Sequence, residues 1–310
     1  MGDMAGRELY AAAPGRQRRT WSVAAVILAL AFVIVGQIGA VVPMQITRAL
    51  PSDQTQWPTL SYILFVAFGL GAALTLAWVV FFERRRLANV GLNGDFAVRF
   101  GRGFGLGLAY LATVVCIIWA TGAYRVEASG IFQAGLSAAV LTPLVVLLFG
   151  FIVQGSTEEI VFRGWLMGII ASRHGLVIAL TVSSLLFGLA HAGNIDPSPE
   201  LALALVNIAL FGLFIGLYAA REGSIWGVCG WHAAWNWLLG TGFGLEVSGE
   251  VVNVTPSIVD LQAVDGAAWW LTGGAFGPEG SVVVTAVLLI SAVVLVLRGG
   301  FARQGGLAPA

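Results

Sequence analysis

Two adjacent carboxylates and a cation interrupt an otherwise apolar run in QGSTEEIVFRG, residues 154–164. On a helix, Glu159 and Arg163 are four residues apart and share a face. Further on, His191 closes FGLAH four residues after Phe187, and His232 opens HAAWN four residues before Asn236. Each of these pairs also falls on one helical face. Ionisable groups at membrane depth are expensive and are kept where they pair, line a wet cavity or do chemistry. The chemistry that suits this set is hydrolysis. A carboxylate such as Glu158, with an imidazole beside it, holds and deprotonates water. A histidine and an asparagine on a facing helix donate hydrogen bonds to a developing oxyanion. Glu159 with Arg163 would be the orienting pair. No Ser-His-Asp arrangement is suggested. The zinc signature H-E-x-x-H is absent, although His191, His232 and Glu158 could form a two-histidine, one-carboxylate metal site. Each group also has a structural reading: a packed histidine, a neutralised Glu–Arg pair locking helices, an asparagine bonding between helices. Together they would be a costly way to pack helices. His174, in SRHG, reads as a solvated turn residue.

The elements that must position these groups follow from composition. The chain has 310 residues, 58% hydrophobic and 10% charged, far too apolar for a soluble domain of this size. The fold class expected is all-α: a polytopic membrane protein with its catalytic core in helices four to seven. Net charge is zero, so a nucleic-acid partner is not expected, and every basic residue is Arg. Cys116 and Cys229 lie in apolar stretches and imply no disulfide framework. The N-terminus, with Arg7, Arg16, Arg18 and Arg19, does not read as a cleavable signal. Eight segments have spanning character: 21–44, 58–82, 103–123, 136–157, 176–192, 201–220, 224–240 and 281–297. Residues 158–172 extend the fourth as helix, too long for one upright span, with Gly150 and Gly155 as the expected weak points. Gly103 and Gly107 suggest close helix packing. The organisation expected is a tail over 1–20, three accessory helices over 21–135 and the core over 136–243. An acidic extracytoplasmic loop over 244–280 and a last helix with its tail over 281–310 complete the chain. Trp269 and Trp270 suit an interfacial anchor or a cap over the outer mouth.

Depth and orientation can also be estimated. Arg173, His174 and Gly175 make a turn, with Glu158 about 16 residues before it and His191 about 16 after it, so a hairpin brings both to similar depth, about 24 Å along their helices. His232 and Asn236 lie about 16 and 22 Å along the seventh segment. Glu158, His191 and Asn236 therefore share a layer, with His232 a turn away. Most arginines fall on one side of this topology and most carboxylates on the other, which predicts cytoplasmic N- and C-termini.

Glu158-Glu159-x-x-x-Arg163, Phe187-x-x-x-His191 and His232-x-x-x-Asn236, in that order on successive segments, resemble the three motifs of the CPBP family. This family comprises the type II CAAX prenyl endopeptidases and the Abi or bacteriocin-processing proteins. The match spans roughly residues 138–243. The resemblance implies an intramembrane endopeptidase in which Glu158 and His191 activate water, His232 and Asn236 stabilise the oxyanion, and Glu159 and Arg163 support the site. It implies a membrane-associated protein or peptide substrate and the lipid bilayer as partners. A metal-free glutamate mechanism is favoured, with no cofactor; zinc at His191, His232 and Glu158 is the alternative. The composition suits a bacterial plasma membrane. The competing functions are a non-catalytic scaffold or regulator that keeps the fold, and a transporter, which should show an internal repeat that the chain lacks.

Overall fold

The computed structural model describes residues 8–11 and 18–299. Arg7, Arg16, Arg303 and the rest of residues 1–7, 12–17 and 300–310 lie outside the described residues. Helices dominate. They are α1 (Ser22–Thr47), α2 (Trp57–Ala77), α3 (Phe96–Ala120), α4 (Ala138–Glu158), α5 (Met167–Leu189), α6 (Pro199–Glu222), α7 (Trp226–Trp237) and α8 (Val282–Arg298). Their starts follow local chemistry. Asp95, Ser137, Ser198 and Ser281 each accept a backbone N–H from the first turn of α3, α4, α6 and α8. Pro199 stands in the first turn of α6, and Gly223, at φ 66°, closes its C-terminus in the left-handed region.

The chain doubles back within α5. Gly175 has φ 83° and ψ 166°, which no helix accommodates. The Ser183 hydroxyl donates to the Phe162 carbonyl at 2.9 Å, and the rings of Phe162 and Phe187 meet edge to face at 5.2 Å. These contacts are nearly symmetric about Gly175, so the expected turn at residues 173–175 is where the structure reverses.

Among the described residues, five helical stretches are long and apolar enough to cross a membrane: Ser22–Thr47, Trp57–Phe82, Phe96–Ala120, Ala138–Leu189 and Pro199–Glu222. The expectation of eight is thus met only in part. Ala138–Leu189 contains two of the expected segments, joined through the Gly175 reversal. α8 is apolar but has 17 residues. α7 has 12, followed by a π-helical turn over Leu238–Gly242. Every residue from Gly227 to Asn236 is buried. A helix enclosed by others in the middle of a bundle has no need of bilayer length. α7 is held mainly between α3 and α4. A Cβ at Gly103 would collide with the Gly227 carbonyl, and one at Gly107 with the Trp231 carbonyl, so these glycines let α3 lie directly on α7.

Two features depart from the sequence reading. The long helix was expected to weaken at Gly150 or Gly155, yet it stays α-helical through both and turns π-helical over Glu159–Leu166. Those glycines serve packing instead: a Cβ at Gly150 would press on Leu64 and one at Gly155 on His232 and the Ala233 amide. The fold is also not purely helical. Tyr124–Ala128 pairs antiparallel with Asp260–Ala263, Tyr124 opposite Ala263, with an irregularity between Val126 and Ala128.

The loops sort by charge to two ends. At one, Tyr10 Oη donates to the Arg163 carbonyl at 2.6 Å, Arg85 pairs with Glu8 and Glu83, and Arg173 donates to the carbonyls of Arg19 and Thr20. Ser224 ties the α6–α7 turn to the Gly91 carbonyl at the same end. At the other, Asn194 donates to the Ser248 carbonyl, Asn253 to the Thr55 carbonyl, and Ala275 to the Glu200 carboxylate.

Candidate active site

Glu158 is the last residue of α4 and Glu159 the first of the π-helical stretch. π-helical stretches within α-helices are frequent at functional sites. Glu159 and Arg163 are fully buried. Glu159 Oε1 accepts from Arg163 Nη1 at 3.3 Å and from His232 Nδ1 at 2.8 Å. A carboxylate only accepts, so the His232 Nδ1 carries the proton and Nε2 is the ring's reactive position. That nitrogen lies 3.5 Å from Glu158 Oε2. His232 thus stands between the two carboxylates, close to Glu158 rather than a helical turn away. The absence of a side chain at Gly155 makes room for this approach.

Arg163 uses one of its donors on Glu159, while its Nε and Nη2 find no acceptor among the described residues. Its guanidinium lies over the Phe187 ring at 4.0 Å and 5.7 Å from that of Phe211. Phe211 also packs edge-on to His232 at 5.0 Å. Phe187 and Phe211 therefore form an aromatic cradle that fixes both the cation and the imidazole. Gly212 admits the guanidinium, because a Cβ there would lie 3.1 Å from Nη2.

Asn236 reaches Glu158 through a residue that the sequence reading left without a role. Asn236 Nδ2 donates to Gln154 Oε1 at 2.9 Å, and Gln154 Nε2 donates to Glu158 Oε1 at 3.1 Å. The signal was present: an amide four residues before Glu158, on the same helical face, in an apolar span. His191 lies just beyond the C-terminus of α5, in the turn after Leu189, rather than inside a span. It is half-buried, and its Nδ1 hydrogen-bonds to the Phe187 carbonyl at 2.8 Å. A carbonyl also only accepts, which leaves Nε2 as the open position of this ring as well.

A cavity of about 380 Å³ joins these groups. Gln154, Glu158 and His191 line it, as do Asn194, Ser248 and Glu250 from the acidic end. Its opposite wall is apolar, from Leu60, Ile63, Leu64, Ala67 and Phe68 of α2. His232 and Asn236 stand behind Glu158 and Gln154 and do not line it. The 241–279 loop supplies part of the wall and is anchored from within. Buried Glu279 accepts from the Ser248 amide at 2.6 Å, the Ser248 hydroxyl at 3.0 Å and Trp235 Nε1 at 3.0 Å. Burial pushes the Glu279 carboxyl above its ordinary range, against these donors and nearby His191, which pull it down. His174 hydrogen-bonds to the Ser22 hydroxyl at 3.0 Å, at the arginine-bearing end and away from the site.

The alternative zinc ligands were Glu158, His191 and His232. Among the described residues no three His, Cys, Asp or Glu side chains gather as a metal site would require. His232 Nδ1 is committed to Glu159, and His191 is not gathered with His232 and Glu158 into one three-donor group. The donor set does not fit a bound zinc.

A carboxylate–imidazole–carboxylate cluster beside a half-apolar cavity in a helical bundle is one class of site that can support hydrolysis. Comparison narrows this class. Residues 140–238 match the family model for Rce1-like type II CAAX prenyl endopeptidases, about a third of the chain. This bears out the resemblance to the CPBP family read from the motifs: the matched segment is similar to an Rce1-like domain and includes Glu158, Glu159, Arg163, His191, His232 and Asn236. No curated protein and no solved structure matches the chain.

Proposed function

We propose that this protein is an intramembrane endopeptidase that hydrolyses a peptide bond of a membrane-associated protein or peptide without a metal. Water held between Glu158 and the His191 Nε2 attacks the carbonyl carbon, and its proton passes to Glu158. His232 and Asn236, the oxyanion donors that the family resemblance implies, stand behind Glu158 and Gln154, so the substrate carbonyl must enter past these two side chains to accept their hydrogen bonds. With Nδ1–H committed to Glu159, His232 donates through Nε2 only as the imidazolium. Asn236 keeps one of its two amide hydrogens free of Gln154. Collapse of the intermediate breaks the C–N bond as the proton on Glu158 moves to the leaving nitrogen. Glu159 orients His232, and Arg163 neutralises Glu159. The observation that carries the reading is that Glu158 and His191 line one cavity while His232 Nε2 approaches Glu158 from behind at 3.5 Å.

The same cavity is bordered by Gln54, Asn194, Ser248 and Glu250, at the end opposite the arginine-bearing loops. With the arginines cytoplasmic in an eight-span topology, both termini face the cytoplasm of a bacterial cell. The site then opens outward, and the scissile bond lies in an extracytoplasmic or membrane-buried segment rather than in a cytoplasmic prenylated tail. The scaffold reading has no comparable support, because a packing role does not need a cavity against the carboxylate.

The test is cleavage of a peptide library by protein reconstituted in vesicles of known orientation, with products identified by mass spectrometry. Cleavage of peptides offered to the acidic face, unchanged after treatment with a strong chelator, is expected. Cleavage only from the arginine-bearing face would overturn the orientation, and loss on chelation with recovery on zinc would overturn the metal-free mechanism.

A further inference from the structure

A second cavity, of about 560 Å³, lies at the arginine-bearing end, away from Glu158. It opens between α3 and α8 and is backed by α6 and α7. Three guanidiniums stand around it, from Arg102, Arg221 and Arg298, against one carboxylate, Glu222. Arg102 pairs with Glu222, and Arg221 donates to the Gly299 carbonyl at 2.6 Å. Arg298 has no ion-pair partner among the described residues. Around the mouth three guanidiniums therefore stand against one carboxylate.

Below the mouth the walls turn apolar, with Leu106 on α3, Phe214 on α6, and Ile290 and Val294 on α8. Leu106, Ile290 and Val294 are exposed. The floor is the Ser291 hydroxyl bonded to Tyr110 Oη at 3.1 Å. Trp231 also lines the cavity. It is fully buried, and its Nε1–H has no acceptor among the described residues. A buried donor without an acceptor costs roughly 1–3 kcal/mol unless something supplies one. Arg102 and Tyr110 are eight residues apart on α3, so their backbones are separated by about 12 Å along the helix. One leaflet of a bilayer has about 15 Å of hydrocarbon.

We propose that this groove is a binding site for an anionic phospholipid of the cytoplasmic leaflet. The phosphate sits among Arg102, Arg221 and Arg298, and one acyl chain follows Leu106, Ile290 and Val294 toward Tyr110, Ser291 and the buried Trp231. Charge favours an anionic over a zwitterionic headgroup, the depth suits a chain, and basic pockets between helices on the cytoplasmic side bind such lipids. The site stands apart from the proposed catalytic groups and does not depend on their assignment.

The experiment uses full-length, delipidated protein in detergent. Phosphatidylglycerol, phosphatidylcholine with the same acyl chains, and inorganic phosphate are titrated separately, with the melting temperature and native mass spectrometry as readouts. Phosphatidylglycerol is expected to raise the melting temperature and to be retained at one tightly held lipid per chain. Phosphatidylcholine and phosphate should do neither. Arg298→Gln, at an exposed position, should weaken phosphatidylglycerol binding about fivefold, as expected for one cation at an anionic surface. Val294→Trp keeps every charge but fills the groove, and should abolish the retained lipid. Equal retention of phosphatidylcholine, protection by phosphate alone, or unchanged lipid binding in Val294→Trp would each overturn the proposal.

Discussion

Replacing Arg163 by Ala should damage the fold before it damages chemistry. Its side chain is fully buried, hydrogen-bonded to Glu159 at 3.3 Å, and stacked 4.0 Å over Phe187. Removing one partner of a buried ion pair costs about 3–5 kcal/mol, because the remaining charge is left uncompensated. Loss of a desolvated cation–π contact adds about 2 kcal/mol. His232 Nδ1 still donates to Glu159 and offsets part of that sum, leaving a net cost of about 4 kcal/mol. Against a total stability of about 5–15 kcal/mol this is severe. At about 2 °C per kcal/mol for a chain of this size, the melting temperature should fall by about 8 °C. Thermal melts of purified protein in one detergent supply the assay. The double variant Arg163→Met with Glu159→Gln, which removes both charges and retains volume, should recover much of the loss. An Arg163→Ala protein that melts within 2 °C of wild type, or a double variant that melts below it, would refute the reasoning.

Two further outcomes follow from the site's surroundings. Gln154→Leu removes the bridge between Asn236 and Glu158 at a position that lines the cavity, where water can replace the lost bonds. The turnover number should fall at least tenfold with KM and melting temperature nearly unchanged, as measured by steady-state cleavage and thermal melts. Glu279 supplies a pH dependence. Its carboxyl is raised by burial, so the folded chain binds more protons than the unfolded chain between the ordinary carboxylate value and the raised one. Its contribution to stability is therefore full below that window and declines as pH rises through it. Melts from pH 4 to 8 should show the decline, and Glu279→Gln should flatten it.

The residues of the candidate site were legible because they are polar at membrane depth, where polarity is costly. Counting from the Arg173–Gly175 turn brought Glu158 and His191 to one level, and both line one cavity because the hairpin pivots at Gly175. The count put His232 a turn from Glu158; the structure sets it 3.5 Å away, since Gly155 permits a closer approach of α7 than generic helix spacing assumes. Gln154 was overlooked because a neutral amide raises no alarm on its own. The site's farther supports were beyond reach for a different reason. Glu279 to Ser248, Tyr10 to Arg163 and the Tyr124–Ala128 ribbon are contacts between distant parts of the chain, and no periodicity encodes them. Hydropathy marked eight apolar segments, but it does not separate a helix that spans lipid from one, like α7, that is enclosed by protein.

In the proposed mechanism Glu158 is the base. Glu158→Gln preserves volume and the hydrogen bond from Gln154 but cannot take a proton from water. The decisive measurement is the cleavage rate of this variant against wild type, on one substrate, in one vesicle preparation, with melting temperatures matched. A positioned general base contributes about 10²–10⁴-fold, so the rate should fall by at least 10² while the melting temperature holds. A folded Glu158→Gln protein that cleaves within tenfold of wild type would contradict the account.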